Sequence, residues 1–139
     1  MKKILNISLV LLLSLCLMTG CGKSKKTDND DKPASEDNVK VNTNEGVIQN
    51  QEVEIFKFEN TSLIYKDGGS TLLTTVTNTS DSESEAVEFK IHVMDGEREI
   101  VTLSGFVGPS LKPGESKILK STYGSDLSNA TSINYEIVK

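Results

Sequence analysis

The chain has 139 residues, 36% of them hydrophobic, with no Trp, two Cys, one His and a formal net charge of −5. That length accommodates one ordinary domain, and the acidic balance excludes binding that works by neutralising phosphate, so no nucleic-acid partner is expected. Two cysteines cannot build a multi-disulfide scaffold and one histidine cannot supply a His-rich metal site, so no cofactor is expected either.

At the N-terminus Lys2 and Lys3 precede an apolar stretch from Ile4 to Met18, broken only by Asn6, Ser8 and Ser14. A basic start, an apolar centre and the small residues Thr19 and Gly20 follow the plan of a secretory signal. The stretch has 15 residues, short of the roughly 20 that a membrane-crossing helix needs. This favours a cleaved signal over residues 1–20 rather than a retained membrane span.

Met18-Thr19-Gly20-Cys21 resembles a bacterial lipobox, in which an apolar residue, a small residue and Gly or Ala precede an essential Cys. The resemblance implies that the Cys21 thiol receives a diacylglycerol and that signal peptidase II cleaves between Gly20 and Cys21. Met18 stands where Leu is commoner, with similar length and polarity. Cys16 leaves with the signal, so the mature chain keeps one cysteine and no intramolecular disulfide. Acyl chains gain about 0.8 kcal/mol per buried CH₂ and two of them anchor stably. The expected partner is therefore the lipid bilayer, reached through acylated Cys21 (palmitate-type chains) at the extracytoplasmic face of the cell membrane.

Residues 21–51 change character abruptly. Val39, Val41, Val47 and Ile48 are the sizeable apolar residues among Lys, Asp, Asn, Ser and Thr. Such a segment buries too little surface to offset its ordering entropy and is expected to be a flexible tether.

Residues 52–139 read as strands. Glu52 to Phe58 and Thr71 to Thr77 are rich in β-branched and aromatic residues, separated by Asp67-Gly68-Gly69. Val87, Phe89, Ile91 and Val93 alternate with Glu88, Lys90 and His92, and the Asp95-Gly96 turn pair follows. Ile100, Val101 and Leu103 supply the next run, Lys112-Pro113-Gly114 precedes Ser116 to Tyr123, and Ile133, Tyr135 and Ile137 alternate near the end. Six or seven short strands with turns between them predict an all-β fold, an antiparallel immunoglobulin-like β-sandwich. Phe89, Ile91, Phe106, Ile118 and Tyr135 are the expected core. The domain carries 14 acidic and 8 basic residues, a net charge of −6.

Thr75-Val76-Thr77-Asn78-Thr79, the Val87 to Val93 strand with its turn, and Leu111-Lys112-Pro113-Gly114-Glu115-Ser116 carry a second resemblance. The chain resembles the small Gram-positive lipoproteins that combine a lipobox, a polar linker and one Ig-like, FxLYD-type domain. Ser62-Leu63-Ile64-Tyr65-Lys66-Asp67 matches the Phe-x-Leu-Tyr-Asp string only loosely, and the resemblance implies architecture without an activity.

Few residues suggest chemistry. His92 falls on the polar side of its strand, where a surface imidazole is the simpler expectation than a general base. No Gly-x-Ser-x-Gly, Ser-x-x-Lys or phosphate-loop string is present. Asp81, Glu83 and Glu85 form the densest acidic cluster and offer three oxygen ligands to calcium, yet their spacing fits no EF-hand, and a solvated loop is the default. Asn60, Asn78 and Asn129 begin Asn-x-Ser/Thr triplets and are expected to cap turns through their side chains. Residues 66–70, 81–85 and 106–112 are the candidate contact loops. Among them Phe106, Val107 and Pro109 form an apolar segment that either meets a partner or closes the core, and the exposure of Phe106 separates the two.

The expected function is a membrane-anchored extracellular lipoprotein displaying a binding or accessory module for a protein or cell-envelope polymer. A structural envelope spacer without a specific ligand is the alternative. An enzyme is the least supported reading.

Overall fold

The apolar runs pair as antiparallel hairpins in a computed structural model that describes residues 38–85 and 87–139. The expected signal, with Gly20 and Cys21, and most of the expected tether lie outside the described residues. The elements are β1 (Lys40–Val41), α1 (Glu45–Ile48), β2 (Gln51–Val53), β3 (Phe56–Lys66), β4 (Gly69–Asn78) and β5 (Ser84–Glu85). They continue as β6 (Glu88–Asp95), β7 (Arg98–Phe106), β8 (Ser110–Leu111), β9 (Ser116–Tyr123) and β10 (Ser132–Val138).

Turn chemistry sets the hairpins. Between β3 and β4 the two loop residues are Asp67 and Gly68, both at positive φ (51° and 87°), the backbone of a type I′ turn whose twist matches the strands. Between β6 and β7 the last pair is Asp95↔Arg98, so the loop is Gly96-Glu97 and Asp95 is still strand. Only Gly96 has positive φ there (61°), as a II′-like turn requires. At Lys112-Pro113-Gly114-Glu115, Pro113 precedes Gly114 at φ 71°, and the Glu115 amide donates to Lys112 O at 3.0 Å. This is the pattern of a type II turn. The Lys112 amide donates in turn to Glu115 Oε2 at 2.8 Å.

These hairpins stack as two sheets. One has the order β1-β3-β4-β9, with β2 also on β3; the other has the order β10-β6-β7; β5 and β8 form a small separate pair. All pairings are antiparallel. The chain makes β3 and β4 in the first sheet, β6 and β7 in the second, returns for β9 and crosses again for β10. That alternation is a Greek-key arrangement of an antiparallel β-sandwich, with six long strands among the described residues.

Between the sheets Phe58 stacks on Tyr135 (3.8 Å between ring centroids, 7° between planes). Phe89 meets Phe56 and Phe58 edge-on, both at 5.1 Å. Leu63, Leu72, Val76, Ile91, Leu111, Leu119, Leu127 and Ile133 fill the remainder. Phe89, Ile91 and Tyr135 are buried as the alternation requires, but Phe106 (59% exposed) and Ile118 (70% exposed) point outward. Parity explains both corrections. Leu119 and Ser121 face inward on β9 and thereby turn Ile118 out; Leu103, Gly105 and Val107 do the same to Phe106.

The folded part also begins earlier than residue 52. Val47 of α1 is fully buried, and the Asn42 side chain, 2% exposed, replaces much of the missing apolar surface with hydrogen bonds. Its Nδ2 donates to Ala130 O at 2.8 Å and its Oδ1 accepts the Asn44 amide at 2.9 Å. The Asn42 amide donates to Leu63 O at 2.9 Å. Residues 40–51 thus cover the outer edge of β3, an edge otherwise open to pairing with another chain.

One polar chain crosses the core. A bulge between Glu59 and Ser62 places Asn60 at φ 54° and turns Thr61 inward. Thr74 Oγ1 donates to Glu59 O at 3.2 Å, so Thr61, 2.9 Å from Thr74 Oγ1, donates to it. Tyr135 Oη, 3.3 Å from Thr61 Oγ1, then supplies the next donor. Each hydroxyl has one proton to give, which fixes this direction. Burial raises the pKa of Tyr135 above its ordinary value, keeping that proton in place.

Candidate functional site

The three expected contact loops have distinct structures. Phe106 ends β7 with its ring in solvent, so it does not close the core. Val107 is buried and fixes the segment through its amide to Val87 O at 3.2 Å, while Pro109 is exposed. The loop after β4 is organised by Asn78, fully buried: its Nδ2 donates to Ser82 O and Leu111 O, and its Oδ1 accepts from the Ser80 amide and hydroxyl. Asn78 thus caps its turn, as expected of that triplet. Asp81, Glu83 and Glu85 stand exposed around this anchor. Among the described residues no three His, Cys, Asp or Glu side chains gather where a metal ion could be held.

His92 lies on the outer face of β6, the central strand of the second sheet, between carboxylates from both neighbours. Nδ1 is 2.8 Å from Glu99 Oε2 on β7 and Nε2 is 3.2 Å from Glu136 Oε2 on β10. Thr102 donates to Glu99, and Lys90 lies 3.3 Å from Glu136 Oε1. The hydrogen bond with Glu99, and then that with Glu136, raises the His92 pKa above its ordinary value. Glu99 is lowered by Thr102 and His92, and Glu136 by His92 and Lys90. Because the two carboxylates hold opposite ring nitrogens, the imidazole acts as a cross-strand clasp, and both nitrogens are occupied.

A cleft of about 350 Å³ opens where the β3–β4 hairpin meets the end of β9. Lys66, Asp67, Gly69, Ser70, Thr71, Thr122, Tyr123 and Gly124 line it. The last β4–β9 pair is Ser70↔Tyr123, and the next residues outward are Gly69 and Gly124, so the floor carries no side chains. Ser70 is committed elsewhere: its Oγ donates to Ser125 O at 2.7 Å and accepts the Leu127 amide at 2.9 Å. Among the described residues, Asp67, Thr71, Thr122 and Tyr123 make no side-chain hydrogen bond, leaving one carboxylate and three hydroxyls to solvent.

The adjoining loop is pinned to the N-terminal segment. Lys40 Nζ lies 2.6 Å from Asp126 Oδ2 and 5.3 Å from the Tyr65 ring centroid. Its ammonium, together with hydrogen bonding from Ser128, lowers the Asp126 pKa to about 2.

Of the cleft, reading the sequence singles out only residues 66–70. Thr71, Thr122 and Gly124 escape it, because their proximity depends on strand pairing; Tyr123-Gly124 at a strand end is the one local signal. Fold and surface together define an all-β, two-sheet antiparallel sandwich domain. Comparison with protein-family models, curated proteins and solved structures gives no match to this chain.

Proposed function

We propose that this chain is a lipid-anchored, extracytoplasmic lipoprotein that displays its sandwich as a non-catalytic binding or accessory module. The observation that carries the reading is Met18-Thr19-Gly20-Cys21 standing directly after a basic start and an apolar stretch. Cys21 takes the diacylglycerol, cleavage falls after Gly20, and the bilayer is the first partner. With the folded part starting at Lys40, the segment from Cys21 reaches at most about 65 Å. The module therefore works close to the membrane, within reach of envelope polymers or envelope proteins. The commitment of both His92 nitrogens to carboxylates supports a binding role over general-base catalysis.

The test is mass spectrometry of the full-length chain expressed in a Gram-positive host. The mature N-terminal peptide is expected to begin at Cys21 and carry two acyl chains, and Cys21→Ser should release the protein from the membrane fraction. An unmodified Cys21, or a different mature N-terminus, would overturn the proposal.

A further inference from the structure

Eight glycines occur among the described residues, and six have an internal reason to be glycine. Gly68, Gly96, Gly108 and Gly114 have positive φ, while a Cβ on Gly46 or Gly105 would lie within 3 Å of neighbouring atoms. The other two are Gly69 and Gly124. Neither has positive φ; a Cβ on Gly124 would meet nothing within 4 Å, and one on Gly69 only Tyr123 O at 3.4 Å. Neither backbone conformation nor internal packing calls for glycine at these two positions, and both lie on the floor of the cleft. What the missing side chains create is the open space itself.

The lining indicates what occupies that space. Thr71, Thr122 and Tyr123 present hydroxyls that both donate and accept, and Asp67 accepts. Tyr123 is 36% exposed and adds an aromatic surface with a polar tip. Lys66 and Asp67 are the charged residues of the lining and cancel in formal charge, whereas residues 52–139 carry a net −6. An anion is repelled by that field, and a cation finds stronger acidic surface elsewhere on the domain. The ligand that fits is uncharged, rich in hydroxyls that donate and accept, and apolar on one face. The volume falls in the roughly 300–1,000 Å³ range of small-ligand sites. We propose that the cleft over Gly69 and Gly124 binds a neutral carbohydrate, one or two sugar rings of a longer chain. The proposal rests on the reading of this domain as a displayed binding module and names its ligand class.

The experiment is an amide NMR titration of the full-length chain in micelles of a sugar-free nonionic detergent. The probes are maltotriose and N,N′-diacetylchitobiose, with N-acetyl-trialanine amide as the uncharged peptide control. Saturable shifts at Gly69, Thr71, Thr122 and Gly124 are expected with at least one sugar, at a Kd of about millimolar order for so open a site. Gly124→Trp should fill the cleft and weaken binding at least about tenfold at unchanged melting temperature. Thr122→Val keeps the branched shape, removes one hydroxyl and should weaken binding several-fold. Absence of saturable shifts with both sugars, shifts centred elsewhere, binding undiminished in Gly124→Trp, or equal binding of N-acetyl-trialanine amide would each overturn the proposal. Failure here with Cys21 acylated sinks the ligand assignment alone; sugar binding by a chain with unmodified Cys21 sinks the anchor alone.

Discussion

Gly105 on β7 packs against Leu119 of β9 in the opposite sheet, and replacing it tests how the two sheets are held. A Cβ at Gly105 would lie 2.7 Å from both Leu119 Cδ atoms and 2.8 Å from Cγ, against an optimal carbon–carbon separation of about 3.5–4.0 Å. Leu119 is fully buried. Gly105→Ala therefore overpacks the contact by about 1 Å, a change that costs about 1–3 kcal/mol. Loss of chain freedom in the unfolded state offsets about 0.4–1 kcal/mol of this. A net loss of about 1.5 kcal/mol should lower the melting temperature by about 6–12 °C in a domain of this size. Leu119→Ala alone should cost about 2–5 kcal/mol through its cavity. In the double variant the new methyl occupies part of that cavity, so the two losses should fall short of their sum by at least about 1 kcal/mol. Urea denaturation of the full-length chain, followed by circular dichroism, measures all four corners of the cycle. Additivity within about 0.5 kcal/mol, or a stabilising Gly105→Ala, would refute the close approach of β7 and β9.

The His92 clasp predicts a pH dependence. The folded-state pKa of His92 is raised, so its contribution is complete below the unfolded value near 6.5 and is lost as pH rises through the folded value. Those of Glu99 and Glu136 are lowered, so theirs is present above about 4.5 and lost as pH falls through the folded values. Melting temperature should accordingly decline above pH 6.5, and His92→Gln should flatten that decline; an unchanged slope would show the clasp to be inert. At the start of the fold, Val47→Ala should cost about 1.5–3 kcal/mol from its buried position. The neighbouring exposed Ile48→Ala should cost under about 0.5 kcal/mol. Equal effects of the two in urea denaturation would mean that α1 is not docked.

Strand content was legible because its signals are local. The alternation from Val87 to Val93 states both the strand and its buried face, and Asp67-Gly68 and Pro113-Gly114 specify turns by the φ values they allow. The Asp95-Gly96 signal also marked a hairpin, but the pairing kept Asp95 in the strand and moved the loop one residue on. Residues 40–51 were read as tether because they are poor in apolar residues. They fold nonetheless, since Asn42 and Asn44 satisfy the Ala130 carbonyl from far along the chain, and composition does not register a hydrogen bond to a distant partner.

By itself, then, the sequence determined the strands, their principal turns and the sandwich class, all of which rest on neighbouring residues. Tertiary structure decided which of two adjacent apolar residues is core. Ile118 and Leu119 are equivalent by composition, and only the registration of β9 on β4 beneath Gly105 turns Leu119 in. It also decided that His92 has a carboxylate on each side and that Gly69 and Gly124 share a floor. The physical reason is common to all three. A strand turns successive residues to opposite faces whatever its sequence, and which face meets the opposite sheet, and which strand lies beside it, are properties of pairing.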